Sequence, residues 1–193
     1  MGRIYKQKEI KLYIDMAQRV AEQSYAVRSK VGSVFVSTSG VLSIGYNGTP
    51  AGWDNCCEDK IYSTGTNEGV PILYGENNPI FGDGISKSVE YPYKEDADNG
   101  LFKRYKLVTK ACVSHAEENL LAKLLREGVT SKDGDIFQTL EPCMPCAKQI
   151  NAAEINAIYF RDQYRLHDGI DFLKDTKVKV YQVSANGEII NEW

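Results

Sequence analysis

The second half of the chain alternates helix and strand signals at short intervals, and this constrains the fold more than any other feature. The patterning predicts a helix over about 115–126, a strand over 135–140 and a helix over about 144–153. A strand over 155–160, a short helix over about 169–174 and a strand over 178–183 follow. Strands separated by helices become parallel neighbours, because each helix carries the chain back to the edge of the sheet where the last strand began. Right-handed crossovers then place these helices against a shared sheet.

The first half supplies the rest of the frame. Between Glu9 and Ser24, the residues Ile10, Tyr13, Ile14, Ala17, Val20 and Ala21 recur at three- and four-residue steps, the stripe of an amphipathic helix. That helix is expected on the opposite face of the sheet. The β-rich runs 31–37 and 41–46 flank Thr38-Ser39-Gly40, whose glycine can take the positive φ of a short hairpin loop. Together these elements predict an α/β fold, a three-layer α-β-α sandwich around a mixed five-stranded sheet. Just past Tyr46, the run Asn47 to Trp53 holds two glycines and a proline, so the chain turns at once and can aim side chains at a ligand.

Between Cys57 and about Lys110 the periodicity weakens, so residues 58–110 read as an inserted loop region within a single domain spanning 1–193. Its tyrosines and Phe81 gain by packing, which predicts an ordered excursion rather than a linker, with the charged stretch 93–100 solvated. Such an insertion could shape a subunit contact or lid a pocket, and composition does not choose between them. No repeat and no extended low-complexity tract interrupts the chain.

Composition narrows the classes of partner. Lys and Arg number 23 against 26 Asp and Glu, a net charge of −3, so no general positive field is available for a nucleic-acid backbone or an anionic membrane. Any phosphate has to be met locally. With 42% hydrophobic and 25% charged residues, the 193-residue chain can bury a sizeable core. Five cysteines are too few for a disulfide scaffold and fit a reducing compartment in which thiols serve a metal. The opening residues MGRIYKQKEI lack the apolar core of a signal peptide, Lys6 breaks a myristoylation pattern, and no apolar run could span a bilayer. A cytoplasmic protein is expected.

Chemistry concentrates in His115-Ala116-Glu117 and Pro142-Cys143-Met144-Pro145-Cys146, each placed where a turn becomes a helix. Cys143 and Cys146 stand three residues apart, so at a helix start both sulfurs can face one point, and His115 can add a third ligand. Thiolate and imidazole together suit Zn²⁺, and three ligands leave a fourth position open for a water whose pKa falls to roughly 7. Glu117, two residues past His115, is near that position and can move protons. The pattern H-x-E followed by P-C-x-x-C is a general signature of zinc nucleobase deaminases.

Further blocks extend the pattern: KVGSVFV (30–36), GYNGTPAG (45–52), Asn55-Cys56-Cys57, VSHAEEN (113–119), EPCMPC (141–146) and INAIYFRDQYR (155–165). On these residues the chain resembles the deoxycytidylate (dCMP) deaminases of the cytidine deaminase superfamily, particularly phage-type members. Nearly everything outside the insertion is covered. The resemblance implies one catalytic Zn²⁺ on His115, Cys143 and Cys146, and hydrolytic deamination of dCMP to dUMP and ammonia, which supplies dUMP for thymidylate synthesis. Water would add at C4, with Glu117 protonating N3 and then helping ammonia leave. Asn47 is implied as the sugar ligand, Tyr164 as the ring that packs on the pyrimidine, and Ala116 as part of the substrate site. Arg28, Lys30 and Arg165 are the candidates for the 5′-phosphate.

The same resemblance implies a homohexamer with Arg126 at a subunit contact. It also implies activation by dCTP and inhibition by dTTP, each with Mg²⁺, in a pocket beside Gly45, Tyr46 and Gly48 with Cys56 nearby. Some phage members hold a second zinc on a matching cysteine, but the companion positions here are Ala26, Tyr105 and Val113, none a good ligand. One zinc is therefore expected, with Cys57 and Cys112 leaving another arrangement open. A deaminase for another base, such as tRNA adenosine, cytidine or a modified dCMP, shares this zinc chemistry. The negative net charge weighs against tRNA. A catalytically silent zinc protein, or a DNA-uptake-associated binding module built on this fold, would not require Glu117. The expected partner is thus a small nucleotide, with neither nucleic acid nor membrane.

Overall fold

A computed structural model of the chain describes residues 3–64, 71–75 and 90–193. Phe81 and the rest of 65–70 and 76–89 lie outside the described residues. Two compact units are present, one built from residues 1–56 with 112–193 and the other from 57–111.

In the first unit the stripe from Ile10 to Ala21 becomes helix α1 (Gln7–Ala21), which starts where the Glu9 carboxylate accepts the Lys6 backbone N–H at 2.9 Å. Strands β1 (Gly32–Val36) and β2 (Leu42–Tyr46) form the expected hairpin, with Gly40 at φ 86° in its turn.

In the second unit, β3 (Glu58–Tyr62), β4 (Leu73–Gly75) and β5 (Tyr93–Asp96) all pair antiparallel with the long strand β6 (Leu101–Thr109). Among the described residues the inserted region therefore forms a β-sheet where a loop was expected. The stretch 93–100, expected in solvent, supplies β5 and one 3-10 turn. Its charges hid an alternation that places Tyr93 and Glu95 on one face, where Tyr93 stacks on Tyr105 across the strand pair at 5.4 Å.

Back in the first unit, α2 (Ala116–Glu127), β7 (Asp135–Leu140), α3 (Met144–Ala152), β8 (Ala157–Asp162), α4 (Asp168–Lys174) and β9 (Lys179–Val183) realise the predicted alternation within one or two residues of each bound. A further strand, β10 (Ile189–Glu192), pairs antiparallel with β9, so the sheet has six strands in the order β10-β9-β8-β7-β1-β2 where five were expected. The pairs β7–β8 and β8–β9 are parallel, and β1 runs antiparallel to both neighbours.

Each strand divides its residues between two cores, as the period of two requires. Val34, Val36, Phe137, Ala157 and Tyr159 face the α1 side with Ile10, Ile14 and Ala17, while Phe35, Ile136, Ile158 and Phe160 pack with Leu120, Leu124, Ile150 and Leu173. This is the three-layer sandwich, with α1 on one face and α2, α3 and α4 on the other. On the α1 face, Phe137, Tyr159 and Tyr181 stack in register across three parallel strands, with ring centroids 4.6 Å apart at each step.

The registers decide where function can be built. Gly32 pairs with Tyr46, Ser33 with Gln138 and Leu140 with Asp162, so the start of β1 and the ends of β2, β7 and β8 meet at one edge of the sheet. Loops leaving the carboxyl ends of parallel strands are where α/β sheets bind ligands.

Candidate active site

At that edge α2 and α3 point their N-termini. His115 is the N-cap residue of α2 and Cys143 that of α3, with Cys146 in the first turn behind it. The His115 Nδ1 lies 3.4 Å from the Cys143 Sγ and 3.3 Å from the Cys146 Sγ, and the three ligand atoms sit within 4.8 Å of one another. Tetrahedral zinc with its usual bond lengths sets a nitrogen-to-sulfur separation of about 3.6 Å, so the donor set fits that ion in type and spacing. Among the described residues this is the one such convergence of three metal-ligating side chains.

Without metal the three groups perturb one another. The Cys143 thiol is pulled well below its ordinary value, first by the hydrogen bond from Cys146 and then by His115. Its thiolate raises His115 to about 9, while donation to Cys143 and burial push Cys146 far up. A thiolate thus sits ready for a cation, and the remaining ligand protons are those that metal binding displaces.

Glu117 is buried, 4% exposed, two residues past His115. Burial raises its carboxyl above the usual range, and its own backbone N–H and the nearby His115 only partly oppose this. A carboxyl held dry and close to the metal ligands is suited to receive and return a proton.

Several contacts hold this arrangement. Glu118 accepts the His115 backbone N–H at 2.8 Å and the Gln149 amide at 3.2 Å, joining the first turn of α2 to α3. Gly45 lets β2 press against α2, since a Cβ there would lie 2.2 Å from the Ala116 carbonyl oxygen. Asn119 and Lys123, one turn apart on α2, donate to the Tyr46 and Ile44 carbonyls at 2.8 Å each and so cover the edge strand.

The other expected residues, apart from Arg126, lie on the loops and element ends at the same edge. Gly48 exchanges two backbone hydrogen bonds with Ser114, the residue before His115, which brings the 47–53 turn alongside the metal ligands. Asn47 is buried, with its Oδ1 accepting from Val31 N–H and its Nδ2 donating to Ser29 carbonyl, both at 2.8 Å. It shapes the loop that carries Arg28 and Lys30, both exposed, and keeps one amide hydrogen for another acceptor. Ala116 is fully buried behind His115. Tyr164 is half-buried after β8, with the Arg165 guanidinium 5.7 Å from its ring centroid. Arg126 is exposed at the far end of α2, and Cys56 is exposed beyond the 47–53 turn.

Two residues given no role by the sequence, Glu118 and Glu141, make several contacts at this edge. Glu141, the first residue past β7, is buried, and its carboxylate accepts the Tyr164 backbone N–H at 3.1 Å. Both of its oxygens lie 3.0 Å from the His167 Nδ1. No local pattern predicts these contacts, which arise only because β7 and β8 run side by side. Glu118 did carry a signal, standing three residues after the helix cap as in a capping box.

A His, Cys, Cys donor set with a buried carboxyl two residues past the histidine, on a three-layer α/β frame, defines a zinc-dependent deaminase of nucleobases or nucleotides. The profile of the cytidine and deoxycytidylate deaminase zinc-binding region matches residues 7–161. The chain belongs to this family. It is 26% identical over 191 residues to the deoxycytidylate deaminase of Enterobacteria phage T4, covering 93% of this chain and 95% of that one. It is 27% identical over 148 residues to the deoxycytidylate deaminase of Mycobacterium phage D29, covering 77% of this chain and 90% of that one. Among solved structures, the dCMP deaminase of cyanophage S-TIM5 in complex with dCMP and dUMP superposes with a TM-score of 0.65. That match has 26% identity and covers 93% of this chain and 100% of the other. Among the described residues no helix is long and apolar enough to cross a membrane.

Proposed function

We propose that this protein deaminates dCMP hydrolytically to dUMP and ammonia, supplying dUMP for thymidylate synthesis. The observation that carries the reading is the convergence of His115, Cys143 and Cys146 beside the buried Glu117. Zinc bound there would lower the pKa of water to about 7. Glu117 takes the proton that water gives up, passes it to N3 as C4 becomes tetrahedral, and then moves the proton of the C4 hydroxyl to the departing amine as the carbonyl forms. Its burial supports this role, because a raised carboxyl pKa brings it closer to the groups with which it exchanges protons.

Substrate orientation is assigned to the rest of the edge. Tyr164 packs on the pyrimidine, the remaining amide hydrogen of Asn47 reaches the sugar, and Ala116 backs the site. Arg28, Lys30 and Arg165 face the 5′-phosphate; all three are exposed, as an anion arriving from solvent requires. Regulation by dCTP and dTTP with Mg²⁺ at Gly45, Tyr46, Gly48 and Cys56 would act through the Gly48–Ser114 bridge, which ends one residue from His115. We further assign a homohexamer with Arg126 at a contact, and a single catalytic domain into which residues 58–110 are inserted.

The test is product formation by zinc-loaded protein on dCMP, CMP, deoxycytidine and dCTP. Conversion of dCMP to dUMP far above the other three is expected. Turnover of deoxycytidine equal to that of dCMP would remove the nucleotide assignment, and silence on all four would remove the reading.

A further inference from the structure

Two segments have to be held in fixed relation for a base to be gripped beside the metal ligands. One is the turn Glu141-Pro142-Cys143 after β7, and the other is the segment from Gln163 to His167 after β8, which carries Tyr164. They belong to adjacent parallel strands, but beyond the last paired residues, Leu140 and Asp162, the sheet no longer fixes them. One further backbone bond, from Glu141 N–H to the Asp162 carbonyl at 2.8 Å, continues the pairing by a residue and then stops.

The side chain of Glu141 takes over at that point. Only 1% of it is exposed, whereas the His167 side chain that contacts it is 55% exposed. A buried carboxylate is costly unless its oxygens are met by donors. Here Oε2 accepts the Tyr164 backbone N–H at 3.1 Å, and both oxygens approach the His167 Nδ1 at 3.0 Å. A carboxylate oxygen accepts, so Nδ1 carries the hydrogen in this contact. The carboxylate therefore grips its neighbouring segment at two points three residues apart, before and after Arg165 and Leu166.

A second tie closes the bracket from the other end. His167 is the N-cap residue of α4, and Gly169 in that helix's first turn lies so close to the metal turn that a Cβ would be 2.2 Å from the Pro142 carbonyl oxygen and 2.9 Å from the Cys143 carbonyl carbon. The Tyr164 segment is thus anchored to residues 141–143 through both the Glu141 carboxylate and the close packing of α4.

We propose that Glu141 is a positioning residue for substrate, acting through Tyr164: its carboxylate, shared with His167, holds the Tyr164 ring at a set distance from the ligands of the metal. The proposal rests on the reading of Tyr164 as the residue that packs on the pyrimidine. It places Glu141 outside the reacting atoms and outside the metal donor set. Loss of the carboxylate releases the Tyr164 backbone, so the ring no longer holds the pyrimidine in place and binding of substrate weakens.

The experiment is steady-state kinetics on dCMP with zinc content measured on the same samples, for the wild type, Glu141→Ala, Glu141→Gln, His167→Ala, Tyr164→Ala and the double variant Glu141→Ala/Tyr164→Ala. Glu141→Ala is expected to raise KM about tenfold or more with kcat changed much less and one zinc per chain retained, because ground-state grip rather than chemistry is lost. Glu141→Gln, which keeps an acceptor for the Tyr164 N–H, is expected to recover most of the KM. In the Tyr164→Ala background Glu141→Ala is expected to add nothing further, since both act through one group.

The proposal is overturned if Glu141→Ala leaves KM within twofold, if zinc content and kcat fall together, or if its effect is undiminished in the Tyr164→Ala background. Should Glu141→Ala fail to fold, His167→Ala, altered at the exposed end of the same contact, carries the identical comparison with and without Tyr164→Ala. A wild-type protein that does not turn over dCMP would overturn the deamination reading itself, an outcome separate from any pattern among the variants.

Discussion

The Glu118 carboxylate and the Gln149 amide meet at 3.2 Å between α2 and α3, and the same carboxylate accepts the backbone N–H of His115 at 2.8 Å. The nitrogen donor and the sulfur donors of the candidate metal site come from these two different helices. A single side chain thus bridges the two helices that carry the donors. Partners that orient metal ligands are typically worth 10–100-fold in affinity. Replacing Gln149 by Ala is expected to weaken zinc binding by about tenfold. Competition against a chromophoric chelator measures this, and unchanged affinity would show that the helix packing alone fixes the donors.

Gly45 gives a prediction about packing. A methyl group there meets the Ala116 carbonyl oxygen at 2.2 Å and the Leu120 amide nitrogen at 2.7 Å, both backbone atoms that cannot step aside singly. Gly45→Ala is expected to cost about 1–3 kcal/mol by overpacking, read from urea unfolding, and to lower activity because α2 carries His115 and Glu117. A stability within experimental error of the wild type would mean that β2 and α2 can separate without cost.

The far end of the sheet makes a pH-dependent prediction. Asp135 is buried, accepting hydrogen bonds from the Tyr5 hydroxyl and the Asn156 amide at 2.7 Å each, and burial raises its carboxyl above the ordinary 3.8 despite those bonds. A carboxyl with a raised pKa binds its proton more tightly folded than unfolded, so stability it contributes is fully present below the unfolded value. That stability is lost as pH rises through the folded value. Compared with Asp135→Asn, the wild type is therefore expected to lose relative stability between about pH 4 and the raised pKa. Urea midpoints of both proteins across pH 4 to 7 test the sign, and a gap that moves in favour of the wild type as pH rises would contradict it.

The residues that bear chemistry were the most legible part of the sequence, because H-x-E and P-C-x-x-C are local patterns whose geometry a helix start imposes. The helix-strand alternation was legible for the same reason, since periods of two and of 3.6 survive without knowledge of partners. β10 escaped because Ile189 and Ile190 form part of an exposed edge and bury little, although Asn186-Gly187, with Gly187 at φ 78°, is a hairpin signal. Asn47 shows the limit in another way. Its amide bonds Val31 and Ser29, contacts that no local pattern announces. The contacts of Glu141 lie 23 and 26 residues away and exist only once β7 and β8 are adjacent.

We assign to Glu117 the movement of protons at a zinc held by His115, Cys143 and Cys146. Its most direct test is Glu117→Gln, assayed for zinc per chain and for ammonia release from dCMP in the same preparation. Zinc is expected to remain at one per chain while turnover falls by about 10²- to 10⁴-fold, the usual worth of a positioned proton carrier. Turnover within tenfold of the wild type with zinc still bound would contradict it.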